Sequence, residues 1–326
     1  MSKSPKPTLP NGQSPLLFYA SGFKYFAEGL ASLLGLEAIP IINKKFSNGE
    51  DYYRIPLENN LDLVGRDVLL VCTTATDADL LFVIRVGCQL ATLGTRRRVF
   101  VCPFFGYSTM ERASLPGEVV TTKVNCRLLS TIPCLGLGNV FLFLDLHVQT
   151  IQYFVEDCIA IELYAESVLR SAIEEMNLPN SSVIFGSSDL GRPKWLQSYA
   201  RYFNTSMAFI NKMRSFESVK VLHVIGDVAG RVVIIYDDMV RSGGTLIAAC
   251  EAYLEAGATK VYAVVSHLAL STPEVATLIE ESKLELVIST DSHPMSQLEL
   301  VQKSKKFRIV SCASVFCSAV ERLMNH

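Results

Sequence analysis

No apolar run in the 326-residue chain approaches the roughly 20 residues a membrane span requires, so no membrane partner is predicted. A basic field is also missing. The 30 Lys and Arg are balanced by 32 Asp and Glu, for a net charge of −2, which argues against a nucleic-acid partner. The nine cysteines are odd in number and include no CxxC pair, which disfavours a zinc ribbon or a disulfide framework. Reduced thiols in a cytoplasmic compartment are expected instead. The opening stretch MSKSPKPTLPNGQSP has no apolar core for a secretory signal, so residues 1–14 read as a flexible tail. No Walker A pattern occurs, which excludes a P-loop nucleotidase.

What is present is an apolar, globular composition. Some 49% of residues are hydrophobic and only 19% charged, in a chain long enough for two domains. Strand-like runs at 16–20, 68–72, 99–103, 140–144, 183–185, 232–236, 261–265, 286–289 and 308–311 alternate with helical patterns. The helices are predicted at 23–34, 80–93, 162–176, 195–203, 246–256 and 313–324. Such alternation predicts an α/β protein with mostly parallel sheets flanked by helices. Arg96, Arg97 and Arg98 form the densest basic cluster and read as a solvated connection between helix and strand.

DLVGRDVLLVC (62–72) and DVAGRVVIIYD (227–237) are similar, about 165 residues apart. Each is followed by a polar loop, a helix, a glycine (Gly94 or Gly257) and another strand. Two similarly folded domains are therefore expected. In parallel sheets, ligands bind beyond the carboxyl ends of the strands. There the second copy carries YDDMVRSGGT, whereas the first carries TTATDADL without glycines. The second copy is the better candidate for holding an anion.

Ser242, Gly243, Gly244 and Thr245 supply backbone and hydroxyl donors at a helix start, a setting that favours phosphate. Asp237 and Asp238 would repel that phosphate. As pure acceptors they suit vicinal sugar hydroxyls or a hydrated magnesium ion. Phosphate at one end and a diol at the other describes a ribose phosphate. Asp145 and His147, two apart on the extended strand that ends VFLFLDLH, face the same side, which suits a metal or simply a polar strand end. Lys212 and Arg214 lie on a connection rich in Lys, Ser and Arg. By pattern alone they read as a solvated pair, Phe46 as core and Asp189 as a helix cap.

Six ordered stretches resemble the ribose-phosphate pyrophosphokinase (PRPP synthetase) family. They are KFSNGEDYY (45–53), VCPFFGYSTMER (101–112), LDLHVQTIQYF (144–154), SSDLG (187–191), INKMR (210–214) and GDVAGRVVIIYDDMV (226–240). SSDLG stands where the family has P-D-x-G. Arg241 replaces the third acid of the family loop, and Thr109-Met110 replaces an R-Q pair. The loop ASLPGEVVTTK lacks basic residues that many members carry. These departures resemble the plant class II branch, described as independent of inorganic phosphate.

The resemblance implies two tandem phosphoribosyltransferase-like domains. The expected bounds are 15–163, completed by 308–326, on the ATP side, and 164–307 carrying the ribose 5-phosphate loop. It implies transfer of the β,γ-pyrophosphoryl group of ATP to ribose 5-phosphate, with Mg²⁺. Lys212 and Arg214 would be catalytic. Asp237, Asp238, Ser242, Gly243, Gly244 and Thr245 would bind ribose 5-phosphate. Phe46, Asn48, Glu50, Glu111 and Arg112 would bind ATP, and Asp145, His147 and Asp189 would serve the metal. Family members form homo-oligomers built from dimers, up to hexamers, with the ATP site partly across a subunit contact. The competing expectation is a non-catalytic regulatory subunit of a synthetase assembly.

Overall fold

The structure, a computed structural model, describes residues 14–188, 193–215 and 218–324. Nearly all of the expected tail lies outside them. The chain divides into two compact units, residues 1–164 with 311–326, and residues 165–310.

The first unit contains β1 (Leu16–Tyr19), β2 (Ala38–Pro40), β3 (Ile42–Lys45), β4 (Asp51–Arg54), β5 (Asp67–Val71), β6 (Arg97–Cys102), β7 (Asn139–Leu144) and β8 (Ile159–Leu163). Its first three helices are α1 (Lys24–Leu34), α2 (Asp77–Thr92) and α3 (Thr121–Ser130). Six strands form a parallel sheet in the order β2-β1-β5-β6-β7-β8, and β3 and β4 form a separate hairpin. The central strands β5, β6 and β7 are buried along their whole length, as strands covered on both faces must be. Phe100 stacks on Phe141 at 4.5 Å within this core. Gly87 lets α2 settle against it, because a Cβ there would stand 2.8 Å from Ile132 and 3.0 Å from Phe100.

The second unit contains β9 (Val183–Ser187), β10 (Ser206–Ser215), β11 (Ser218–Ile225), β12 (Val232–Val240), β13 (Lys260–Leu268), β14 (Val287–Thr290) and β15 (Phe307–Val310). Its helices are α4 (Glu166–Glu174), α5 (Pro193–Phe203), α6 (Gly244–Glu255), α7 (Glu274–Glu281) and α8 (Glu299–Lys303). The sheet order is β11-β10-β9-β12-β13-β14-β15, parallel except for the antiparallel β10–β11 pair. The last helix, α9 (Ala313–Met324), returns to the first unit, where Phe316 meets Phe26 of α1 edge to face at 5.5 Å.

The repeat read from the sequence recurs in backbone geometry. Gly65 donates to Gly94 O at 2.9 Å, and Gly230 donates to Gly257 O at 2.9 Å. Arg96 N–H reaches Arg66 O at 2.8 Å, and Thr259 N–H reaches Arg231 O at 2.8 Å. All four glycines have positive φ, so each copy is pinned by the same left-handed turns.

Several expectations are corrected. The predicted helix at 162–176 is instead the end of β8 followed by α4, because the apolar run of β8 pairs alongside β7. The strand expected at 308–311, within the segment 308–326, was to complete the first domain, and the observed strand is β15. It pairs with β14 in the second unit, and only α9 crosses back. Arg97 and Arg98 are not solvated: they are 6% and 1% exposed. Arg98 donates to Asn139 Oδ1 (2.5 Å), Thr95 O (3.0 Å) and Leu135 O (2.6 Å), which compensates its burial. Arg96 forks onto the fully buried Asp67 with two bonds of 2.7 Å. A run of three arginines thus ties the base of a sheet together.

Tyr253 of α6 performs a similar task in the second unit. Its ring packs where Gly186 has no Cβ, and its hydroxyl donates to Ser187 O at 2.9 Å, with Ala208 O at 3.3 Å. Tyr253→Phe keeps the ring and removes the donor. It is expected to cost about 1–3 kcal/mol, read as a lower urea midpoint for the second unit. An unchanged midpoint would show that water replaces the bond.

Candidate functional site

The second unit's site is built at the carboxyl end of β12. That strand runs to Val240, so Asp237 and Asp238 lie within it, alongside β13 and just past the last β9 pair at Tyr236, and not beyond its end. Successive strand residues alternate in facing. Asp238 is 3% exposed, while Asp237 is half-buried. Asp237 Oδ2 accepts the Ser188 hydroxyl at 2.6 Å, and Oδ1 accepts the Asp238 N–H at 2.9 Å.

Three residues further on, the chain turns through Arg241, Ser242 and Gly243 into α6. Gly243 is buried with φ 74° and occupies the position before the helix, with no side-chain cap. The first helical bond runs from Ile247 N–H to Gly243 O. The N–H groups of Gly244, Thr245 and Leu246 therefore precede it without intrahelical acceptors. No acid occupies the first turn of α6, so the positive end of the helix is not neutralised from within. Ser242, Gly244 and Thr245 are exposed.

The two glycines have different reasons for being there. A Cβ on Gly243 would stand 3.2 Å from Val275, on a backbone that side chains rarely adopt. On Gly244 it would meet only Ser242 Oγ, at 3.9 Å, with no positive φ to excuse the glycine. The protein itself has room for a side chain at 244. A ligand brought close to that backbone would not.

The equivalent point in the first unit is closed. Thr76 and Asp79 cap α2 reciprocally, each accepting the other's N–H at 3.1 Å. Asp77 and Asp79 place negative charge in its first turn. Residues 104–106 cover the preceding loop, where Gly106 N–H reaches Thr74 Oγ1 at 2.9 Å. Tyr107 donates its hydroxyl to Asp77 at 2.7 Å. An anion at this helix start would meet carboxylates and donors already engaged.

The remaining expected residues fall into separate groups. Phe46, Asn48 and Glu50 sit on the turn between β3 and β4. Asn48 Nδ2 reaches Glu50 Oε2 at 3.0 Å, and Glu50 N–H returns to Asn48 Oδ1 at 3.1 Å. Phe46 is 53% exposed, which overturns the reading of it as core. Glu111 and Arg112 form an ion pair at 3.6 Å, with Arg112 pointing into solvent. Asp145 and His147 do not continue the strand: β7 ends at Leu144, and Asp145 has φ 38°. The left-handed residue breaks the alternation, leaving Asp145 2% exposed and His147 half-buried. Lys212 and Arg214 lie on β10, opposite Val221 and Val219, and not on an irregular connection. Asp189 lies outside the described residues.

The sequence reading passed over Ser188, because its role depends on a partner 49 positions away. His267 and His293 hydrogen-bond within the second unit. His267 Nδ1 lies 2.7 Å from Ser292 Oγ, and His293 Nδ1 accepts Met295 N–H at 3.1 Å. Burial, with nearby His267 and Arg241, pushes the His293 imidazole down to about 3, which keeps that nitrogen an acceptor.

Residues 16–132 match a family model described as the N-terminal domain of ribose phosphate pyrophosphokinase. Residues 197–326 match one described as the phosphoribosyl synthetase-associated domain. A ribose-phosphate pyrophosphokinase of Prochlorococcus marinus is 32% identical over 304 residues, covering 91% of this chain and 88% of that protein. One of Haemophilus influenzae is 32% identical over 286 residues, with 86% and 87% covered. In fold, the chain is similar to the crystal structure of phosphoribosylpyrophosphate synthetase from Mycobacterium smegmatis. The TM-score is 0.83 at 22% identity, over 96% of this chain and 99% of that one.

The two glycines should separate experimentally. Gly244→Ala is expected to leave thermal stability within about 0.5 kcal/mol while weakening binding of a phosphate monoester at least about tenfold. Gly243→Ala is expected to lose roughly 1–2 kcal/mol of stability from the left-handed backbone alone. Calorimetric titration and thermal melts on both variants would check the pair, and equal phosphate affinity in Gly244→Ala would remove the loop as the anion site.

Proposed function

The chain belongs to the ribose-phosphate pyrophosphokinase family, and on that premise we propose that it transfers the β,γ-pyrophosphoryl group of ATP to the 1-hydroxyl of ribose 5-phosphate. The products are 5-phosphoribosyl 1-pyrophosphate and AMP. The observation that carries this reading is the uncapped, acid-free start of α6, reached by a three-residue turn from a strand that carries two aspartates near its end. The N–H groups of Gly244, Thr245 and Leu246, with the hydroxyls of Ser242 and Thr245, hold the 5-phosphate. Asp237 and Asp238 accept from the ribose hydroxyls.

The exposed turn of Phe46, Asn48 and Glu50 suits a nucleobase: an aromatic face to stack on it and fixed polar groups to read its edge. Glu111 and Arg112 belong to the same nucleotide side. Lys212 and Arg214 supply positive charge to the transferring group. No covalent enzyme intermediate is needed, so positioning and charge neutralisation make up the catalysis.

Magnesium fits a limited protein share of the ligands. Among the described residues, no three His, Cys, Asp or Glu side chains gather into a metal site. The groups the resemblance offers are Asp145 and His147 in the first unit and Asp237 and Asp238 in the second, while Asp189 lies outside the described residues. Magnesium commonly takes one or two carboxylates and fills its shell with substrate phosphates and water, so this donor set is adequate. When bound, the ion neutralises charge on the transferred phosphates.

The cysteines are all free, consistent with a cytoplasmic enzyme, and among the described residues no helix is long and apolar enough to cross a membrane. A homo-oligomer built from dimers, as in the family, is part of the proposal. So is phosphate independence, on the strength of Ser242-Gly243-Gly244-Thr245 and the altered segment ending in Glu111-Arg112.

³¹P NMR of the purified protein with ribose 5-phosphate, ATP and Mg²⁺ tests the reading. The product and AMP are expected at equal rates with and without inorganic phosphate. Lys212→Ala should lower kcat by about 10²–10³. No product from folded protein under either condition would transfer the reading to a regulatory subunit.

A further inference from the structure

The Asp237 carboxylate is held from two directions. The Ser188 hydroxyl donates to Oδ2 at 2.6 Å and the Asp238 amide donates to Oδ1 at 2.9 Å. A terminal carboxylate turns easily about its last bond when nothing holds it. With a donor on each oxygen, rotation of the group breaks one bond or both. The serine bond is short and charge-assisted, the stronger class of hydrogen bond.

Ser188 is suited to this task by its position. It follows β9 directly, and β9 lies against β12 with Ser187 in register with Tyr236. Parallel pairing therefore brings the residue after one strand beside the residue after Tyr236 on the other. Ser188 is 2% exposed, so water does not compete for its hydroxyl. Tyr253 fixes the same corner from beneath by donating to Ser187 O at 2.9 Å.

We propose that Ser188 is a positioning residue that aims the Asp237 carboxylate at the vicinal hydroxyls of a ribose phosphate, and so sets the preference for ribose over 2-deoxyribose phosphates. This rests on the ribose 5-phosphate reading of the β12–α6 loop and deepens it. A sugar hydroxyl is recognised by a carboxylate only when an acceptor lone pair already points at it. Holding that geometry before binding removes the ordering cost from the binding step. A 2-deoxy sugar lacks one of the two hydroxyls, so it gains less from a correctly aimed carboxylate and loses less when the aim is released.

The test is calorimetric titration of the full-length protein with ribose 5-phosphate, 2-deoxyribose 5-phosphate and inorganic phosphate, on wild type, Ser188→Ala and Ser188→Cys. Cysteine keeps the side-chain volume with a much weaker donor. Wild type is expected to favour ribose 5-phosphate. Ser188→Ala is expected to lose about tenfold in affinity for it, little for the deoxy sugar and none for inorganic phosphate. Ser188→Cys should fall with alanine. Retained phosphate binding in both variants serves as the check on folding at the loop.

Undiminished discrimination in Ser188→Ala would overturn the proposal, as would equal losses for both sugars. Full recovery in Ser188→Cys would also overturn it, because packing and not the hydrogen bond would then be the role. Wild-type protein that binds inorganic phosphate but neither sugar phosphate would sink the ribose reading itself, and this proposal with it.

Discussion

The second unit's site depends on one backbone conformation, the left-handed turn at Gly243. It lets the chain leave the end of β12 and enter α6 within three residues. Its missing Cβ lets the turn lie against Val275 and Ile279 of α7. Because the turn is anchored by packing below, nothing from the chain is needed to cap the helix above. Gly244 and Thr245, which open α6, are exposed. A side-chain cap would satisfy their N–H groups and occupy the space an anion needs. Upstream, Asp237 lies beside β13 and accepts the Ser188 hydroxyl, so acceptors and donors stand on two elements joined by one tight turn.

The first unit shows the same scaffold used differently. Its glycine clasp between Gly65 and Gly94 matches the one between Gly230 and Gly257. Its α2, however, is closed by Thr76 and Asp79 and covered by residues 104–106. An acidic first turn stabilises a helix for the reason that it repels an anion there. One copy of the repeat is capped and the other is left open, and the choice rests on a handful of residues after the strand. The first unit exposes other groups instead, at the hairpin turn of Phe46, Asn48 and Glu50.

Buried polar groups do much of the remaining fixing. Arg98 and Asp67 sit in the interior at the amino ends of β6 and β5, and burial pushes the Arg98 guanidinium below its usual value. Four acceptors around Arg98 repay that cost. From the sequence these arginines looked like a solvated loop, because three cations in a row after a glycine usually are. Only the neighbouring strands, with Asn139 and Asp67 distant in the chain, show that they are internal. The same limitation explains β8 and α4. A short apolar run followed by Glu166 fits a helical period until β7 is placed beside it.

Local composition and order determined much about this protein by themselves. Continuous apolar runs separated by helical periods required parallel sheets, since only strands covered on both faces can be apolar throughout. The similarity of 62–72 to 227–237 made two units legible. The aspartates, glycines and hydroxyls of 237–245 made this loop the candidate for an anion and a diol, because those properties belong to adjacent residues. Tertiary structure decided what depends on distant partners. It set Ser188 on Asp237, turned Asp145 out of the strand line, put Lys212 and Arg214 on a hairpin strand, and gave β15 to the second sheet. Hydrogen bonds between strands form across tens of residues, and no local pattern encodes which strand will be the neighbour.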